Sequence, residues 1–179
     1  MRWLSVTVVL CGAVAWAQEP ASGYRAEFLA EADGFEKKFV SLAEQMPAGK
    51  YTWRPGEGVR SIGEVYLHIS GANFGLTRLV GTPPPASFQA KGYETSITDK
   101  AKIVEQVKQS FAHLRQAVLK LSDADADKTV KIFGRDSTNR GALLFIARHL
   151  GEHLGQSIAY ARVNGIVPPW TEEAQRRSR

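Results

Sequence analysis

Apolar residues recur at three- and four-residue intervals through four stretches of the chain, the period of a helix that buries one face. From about Gly23 to Met46 the series is Phe28, Ala32, Phe35, Phe39 and Leu42, and Pro47-Ala48-Gly49 ends it. A second stretch opens at Ser61, where Glu64 three residues on completes a capping-box pattern, and runs to about Val80 before Gly81 and Pro83-Pro84-Pro85. The third starts near Thr98-Asp99 and carries Ile103, Val107, Phe111, Leu114, Val118 and Leu121 on one stripe. The fourth runs from around Thr138 to Asn164-Gly165, with Pro168 and Pro169 just beyond. No strand-length alternation competes with these, so the expected fold is all-α, a four-helix bundle. Gly81 to Ile97 forms a long Pro-rich crossover between helices 2 and 3, which therefore need not be antiparallel neighbours. Lys50 to Arg60, with Tyr51, Trp53, Arg54 and Pro55, is expected to fold back over one end.

The first seventeen residues stand outside this pattern. Arg2 precedes an uncharged apolar run from Leu4 to Ala15, and Ala15-Trp16-Ala17 offers small residues to a signal peptidase. About twelve apolar residues make only ~18 Å of helix, too short for a ~30 Å hydrocarbon core. The reading is a cleaved signal peptide at 1–17 and a single domain at 18–179, exported to the periplasm or secreted. Cleavage removes Cys11, the only cysteine of the 179 residues, and one arginine from a formal charge of +5. The mature protein then has no disulfide and no thiolate metal site, so any metal rests on histidine or carboxylate. Composition, 44% hydrophobic and 23% charged, is that of a globular chain. Its basic residues are scattered, and the sequence lacks a basic recognition helix; nucleic acid is not an expected partner, nor is a membrane after cleavage.

Four histidines remain. His149 and His153 are four apart on the fourth helix and share a face with Ala142, Ile146 and Tyr160. His68 lies among Val65, Ala72, Leu76 and Leu79 on the second. Three imidazoles turned inward are costly unless their nitrogens are satisfied, and one divalent metal would satisfy all three. Taken singly, a buried histidine is more often hydrogen-bonded to a backbone carbonyl than a metal ligand. The pair is not the H-E-x-x-H motif, since residue 150 is leucine. His113, beside Gln106, Gln109 and Gln116, is expected in solvent.

The segment Ser61-Ile62-Gly63-Glu64-Val65-Tyr66-Leu67-His68-Ile69-Ser70-Gly71-Ala72-Asn73 resembles the second helix of the DinB/YfiT-like metal-binding bundles. His149-Leu150-Gly151-Glu152-His153-Leu154-Gly155-Gln156 is similar to their fourth-helix H-x-x-x-H-x-G-Q. Arg162 to Trp170 resembles their helix ending, and Tyr51-Thr52-Trp53-Arg54-Pro55 fits the stretch before helix 2. The resemblance implies a divalent transition metal, zinc, nickel or iron, held by His68, His149 and His153 with a position open to water or substrate. It implies no other cofactor and names no catalytic residue. Glu64 is a candidate to orient a ligand, or is the capping partner of Ser61; Gln156 is a candidate to bond a ligand nitrogen, or closes the pocket edge. Where the family commonly has arginine after the last histidine this chain has Leu154. The function so implied is a metal-dependent enzyme, hydrolase or transferase in type, acting on an unidentified small molecule. The alternative is a non-catalytic binder with a vestigial site. The thiol-using activities of some relatives are discounted, because an exported protein meets few reduced thiols.

Other signals change little. Asp123, Asp125 and Asp127 alternate like a calcium loop but lack its glycine and final glutamate, Lys128 and Gly134 standing there. Gly71/Gly75 and Gly151/Gly155 suggest close helix approach. Leu143, Ala147, Leu150, Leu154 and Ile158 form a second apolar sector on helix 4, to be covered by helix 1 and the Trp53 loop or by a second subunit in a homodimer.

Overall fold

The computed structural model describes residues 21–178, so the signal peptide expected at 1–17 lies outside the described residues. Five α-helices and one small hairpin follow one another: α1 Gly23–Gln45, α2 Ile62–Leu76, α3 Lys100–Leu119, β1 Thr129–Ile132, β2 Arg135–Thr138, α4 Asn139–Val163 and α5 Pro169–Arg177. The four long helices coincide with the four periodic stretches. The starts of α2, α3 and α4 are set by side chains that accept from free N–H groups: Ser61 from Glu64, Asp99 from Lys102 and Thr138 from Gly141. α2 passes into a 3₁₀ turn over Thr77–Val80 and stops at Gly81, whose φ of 82° is left-handed.

Packing directions follow from particular contacts. α1 and α3 are antiparallel: buried Arg25 donates to Leu121 O (2.6 Å) and Asp123 Oδ1 (2.8 Å), and at the other end Lys100 reaches Glu44 O. α2 and α3 run the same way, with Gly63 against Ile103 and Asn73 donating to Ser110 Oγ. The chain between them returns along α2, where Phe88 and Tyr93 pack on Phe74 with centroids 5.4 and 6.4 Å away. α4 touches α1 and, running opposite to it, α2. The shared core includes Phe39, Leu42, Leu67, Val107, Leu114, Ile146 and Leu150, all with no exposed surface. The 50–60 loop does fold onto it: Tyr51 is buried and donates to Ala43 O, while Trp53 stands edge-on to Tyr160 at 5.4 Å. In the second sector of α4, Leu143, Leu150 and Leu154 are buried and Ala147 and Ile158 half-buried.

Three expectations are corrected. The fold is not purely helical: Thr129–Ile132 pairs antiparallel with Arg135–Thr138 around Phe133-Gly134, both at positive φ, the conformation a two-residue hairpin turn needs. Pro168-Pro169 is not only a stop, because Pro169 is the first residue of α5, where its missing N–H costs nothing. His113 is half-buried, its Nε2 3.0 Å from Thr77 Oγ1 and its ring against Phe74. Burial lowers its pKa. Asp123, Asp125 and Asp127 diverge to Arg25, Ser122 and Arg140, which rules out a shared cation. No helix among the described residues is long and apolar enough to cross a membrane.

Candidate metal centre

α2 supplies His68 and α4, crossing it in the opposite direction, supplies His149 and His153 one turn apart. The helical periods that put each histidine on an inward face thus bring all three to one point. Their ligand atoms all lie within 4.8 Å of one another, and each residue is half-buried. Ring centroids are 5.2 Å apart for His68 and His149 and 4.5 Å for each pair that includes His153. The Nε2 atoms of His68 and His149 face each other at 3.1 Å. Two nitrogens held ~2.0–2.1 Å from one zinc at a tetrahedral angle stand about 3.3 Å apart, so this spacing, also that of a hydrogen bond, is compatible with a shared coordination shell.

The outer nitrogens support the same orientation. His68 Nδ1 is 2.6 Å from Glu94 Oε1, and His153 Nδ1 is 2.8 Å from Gln156 Oε1, whose Nε2 donates in turn to Tyr160 Oη. With the Nδ1 proton donated outward, each Nε2 presents its lone pair to the middle. His149 Nδ1 is buried and without a partner. If that nitrogen carries the proton, two lone pairs meet at 3.1 Å; if Nε2 carries it, Nδ1 is a bare buried acceptor. A cation between the Nε2 atoms removes the first conflict, so the three residues fit a metal. Burial lowers the His68 pKa against the pull of Glu94, and burial, then His153 and His68, lowers that of His149 to about 4. A lowered pKa favours the neutral imidazole, the form that ligates.

The structure separates the candidates. Gln156 Oε1 sits on His153 Nδ1. Glu64 takes the capping reading: Oε2 accepts from Ser61 N at 2.7 Å and Oε1 from Arg54 at 2.9 Å, so both oxygens are occupied away from His68. Leu154 is buried and offers no polar contact. Sequence reasoning missed Glu94 and Arg60, which meet through two hydrogen bonds of 2.6 and 3.1 Å beside His68. Neither residue lies in a periodic segment, so no pattern marked them.

This helical frame is that of a known class. The chain belongs to the DinB superfamily, whose sequence pattern matches residues 32–157. In fold it is similar to a DinB-like protein from Bacillus cereus ATCC 10987, with a TM-score of 0.71 at 18% identity over 80% of this chain and 95% of that one. A DinB-like protein from Bacillus subtilis, YjoA, aligns with a TM-score of 0.62 at 20% identity, covering 78% and 92%. No curated protein sequence matches it.

Proposed function

We propose that this protein binds a divalent transition metal through His68, His149 and His153 and is a metal-dependent enzyme, hydrolase or transferase in type, acting on a small molecule. The fold in this reading is the four-helix bundle of its superfamily, with the Pro-rich 81–97 segment as crossover, and the protein works outside the cytoplasm after loss of residues 1–17. The observation that carries the metal is the 3.1 Å approach of two imidazole Nε2 atoms whose neighbours turn their lone pairs inward. Bound there, a divalent cation supplies Lewis-acid polarisation of a ligand oxygen. The chain's own part is to hold three half-buried imidazole donors on two helices.

A second reading, a binder without turnover, is favoured by one feature: both oxygens of Glu94, the carboxylate that touches the cluster, are already taken by Arg60 and His68. Elemental analysis of protein purified without chelator tests the metal. Zinc, nickel or iron should co-purify with the wild type and be lost from His149→Ala. A metal-free wild type whose melting temperature ignores added chelator overturns the metal-based form of both readings. If metal is present, a substrate screen of the wild type against His149→Ala separates enzyme from binder.

A further inference from the structure

Glu94 reaches the cluster from outside the helices. It lies in a 3₁₀ turn of three residues, Tyr93–Thr95, in the segment that returns along α2. That turn is fastened on two sides. Tyr93 packs so closely on α2 that a Cβ at Gly71 would come 3.1 Å from its ring, and it also contacts Phe74 and Phe88. Its hydroxyl donates to Gln106 Oε1 of α3 at 2.7 Å. Arg60, just ahead of α2, grips both oxygens of Glu94 through Nε and Nη2 in a two-pronged bond, the geometry in which a guanidinium best fixes a carboxylate. The carboxylate therefore has little freedom, and its Oε1 meets His68 Nδ1 at 2.6 Å.

An ionised carboxylate only accepts hydrogen bonds. Facing Glu94, the neutral His68 ring must carry its proton on Nδ1, which leaves Nε2 bare toward His149. We infer that Glu94, clamped by Arg60 and seated by Tyr93, is a positioning residue that fixes the tautomer and ring orientation of His68. This rests on the reading of the cluster as a metal site for its purpose, but not for its geometry. A staple that merely ties the loop to α2 would stabilise the fold without selecting a tautomer.

Two measurements decide it on the full mature chain. Long-range ¹H–¹⁵N NMR correlation of the metal-free protein reads the His68 tautomer directly. The wild type should show the proton on Nδ1, Glu94→Gln should keep it there because its amide oxygen still accepts, and Glu94→Ala should move it toward Nε2. Titration with Co²⁺ should give Glu94→Ala an affinity about 10–100-fold weaker than wild type, with Glu94→Gln between them. Circular dichroism and melting curves confirm that the variants fold. An unchanged His68 tautomer in Glu94→Ala, or Co²⁺ affinity within about twofold of the wild type, the margin being small against the loss expected of such a partner, overturns the inference. A wild type that binds no Co²⁺ overturns the metal reading instead, and the tautomer comparison still decides the role of Glu94.

Discussion

The seam between α1 and α3 and the seam between α2 and α4 are built on opposite plans. In the first, Phe39, Leu42, Phe111 and Leu114 fill the middle, and Phe39 stacks near Phe111 at 6.0 Å. Apart from buried Arg25 at one end, its charges stand at the rim, where Arg115 spans Asp33 and Glu36 and Lys108 meets Glu44. In the second, three imidazoles, Ser157 and the Tyr160 ring occupy positions that apolar side chains would fill more cheaply. Among the described residues, the buried side-chain polar atoms that lack a partner are Tyr66 Oη, Asn73 Oδ1 and His149 Nδ1, all on α2 or α4. One seam holds the protein together, and the other gives up stability to keep donors in place.

The largest effect should come from the apolar seam. Phe39→Ala removes a ring with no exposed surface and should cost about 3–5 kcal/mol in urea unfolding. A loss under about 1 kcal/mol, that of a shallow site, would mean that α1 and α3 do not carry the core as described. The polar seam should behave in the reverse sense. His149→Leu should leave metal-free stability within about 1 kcal/mol of the wild type, because the orphaned nitrogen disappears with the ring. The wild type should gain about 2.7 kcal/mol when metal is present at a hundred times its Kd, and the variant should gain nothing. Thermal melts of both proteins with and without added zinc make the comparison. Strong destabilisation of His149→Leu without metal would show that the imidazole is a structural group.

Smaller effects belong to the helix end that aims His68. The Ser61 N–H bond, opposed by burial and helped by Arg54, holds the Glu64 carboxyl below its ordinary value of 4.5. A carboxyl with a lowered folded-state pKa contributes stability fully present above the unfolded value. That contribution is lost as pH falls from about 4.5 through the lower folded value, at which Glu64 takes up its proton. Glu64→Gln should therefore lose stability at neutral pH, lose less on acidification, and converge with the wild type once Glu64 is protonated in both folded and unfolded states. Ser61→Ala should cost about 1 kcal/mol at all pH values, as the loss of a cap does. Parallel melting curves for Glu64→Gln and the wild type from pH 7 to pH 2 would remove the carboxylate from the cap.

The difference between the seams also explains what could be read in advance. Ser61 with Glu64, and His149 with His153, are relations across three or four residues, and the helical period fixes where such side chains point. The triad was legible because His68 lies on the inner face of one such helix and the pair on that of another. Glu94 was not, since it stands in an irregular segment 26 residues from His68, and only the docking of Tyr93 on Gly71 brings it there. His113 sits on what looks like the polar side of α3, but α3 touches both α1 and α2, so a second face is partly covered by Thr77 and Phe74. The hairpin strands are four residues each, too short for alternation to stand out, and Phe133-Gly134 is not the Asn-Gly that marks such turns.

The least expensive change tests the rim of the apolar seam. Arg115 reaches Asp33 and, at 2.7 Å, Glu36. The two acids are three apart on α1, hence neighbours on one face, and a single guanidinium on α3 bridges them. Its partners keep substantial contact with water, so the Coulomb gain is screened and partly offset by the ordering of a long side chain. Arg115→Met retains most of the stem and removes the charge. It should cost about 0.2–1 kcal/mol in low salt, and the difference from wild type should shrink in 1 M salt, where the Debye length is about 3 Å. The zinc response of the melting temperature should be untouched, since the change lies on the seam that holds no imidazole. A salt-independent loss above about 2 kcal/mol would place Arg115 among the packing groups of the core through its stem, and the division between an apolar seam with a charged rim and a polar seam with an imidazole cluster would no longer hold.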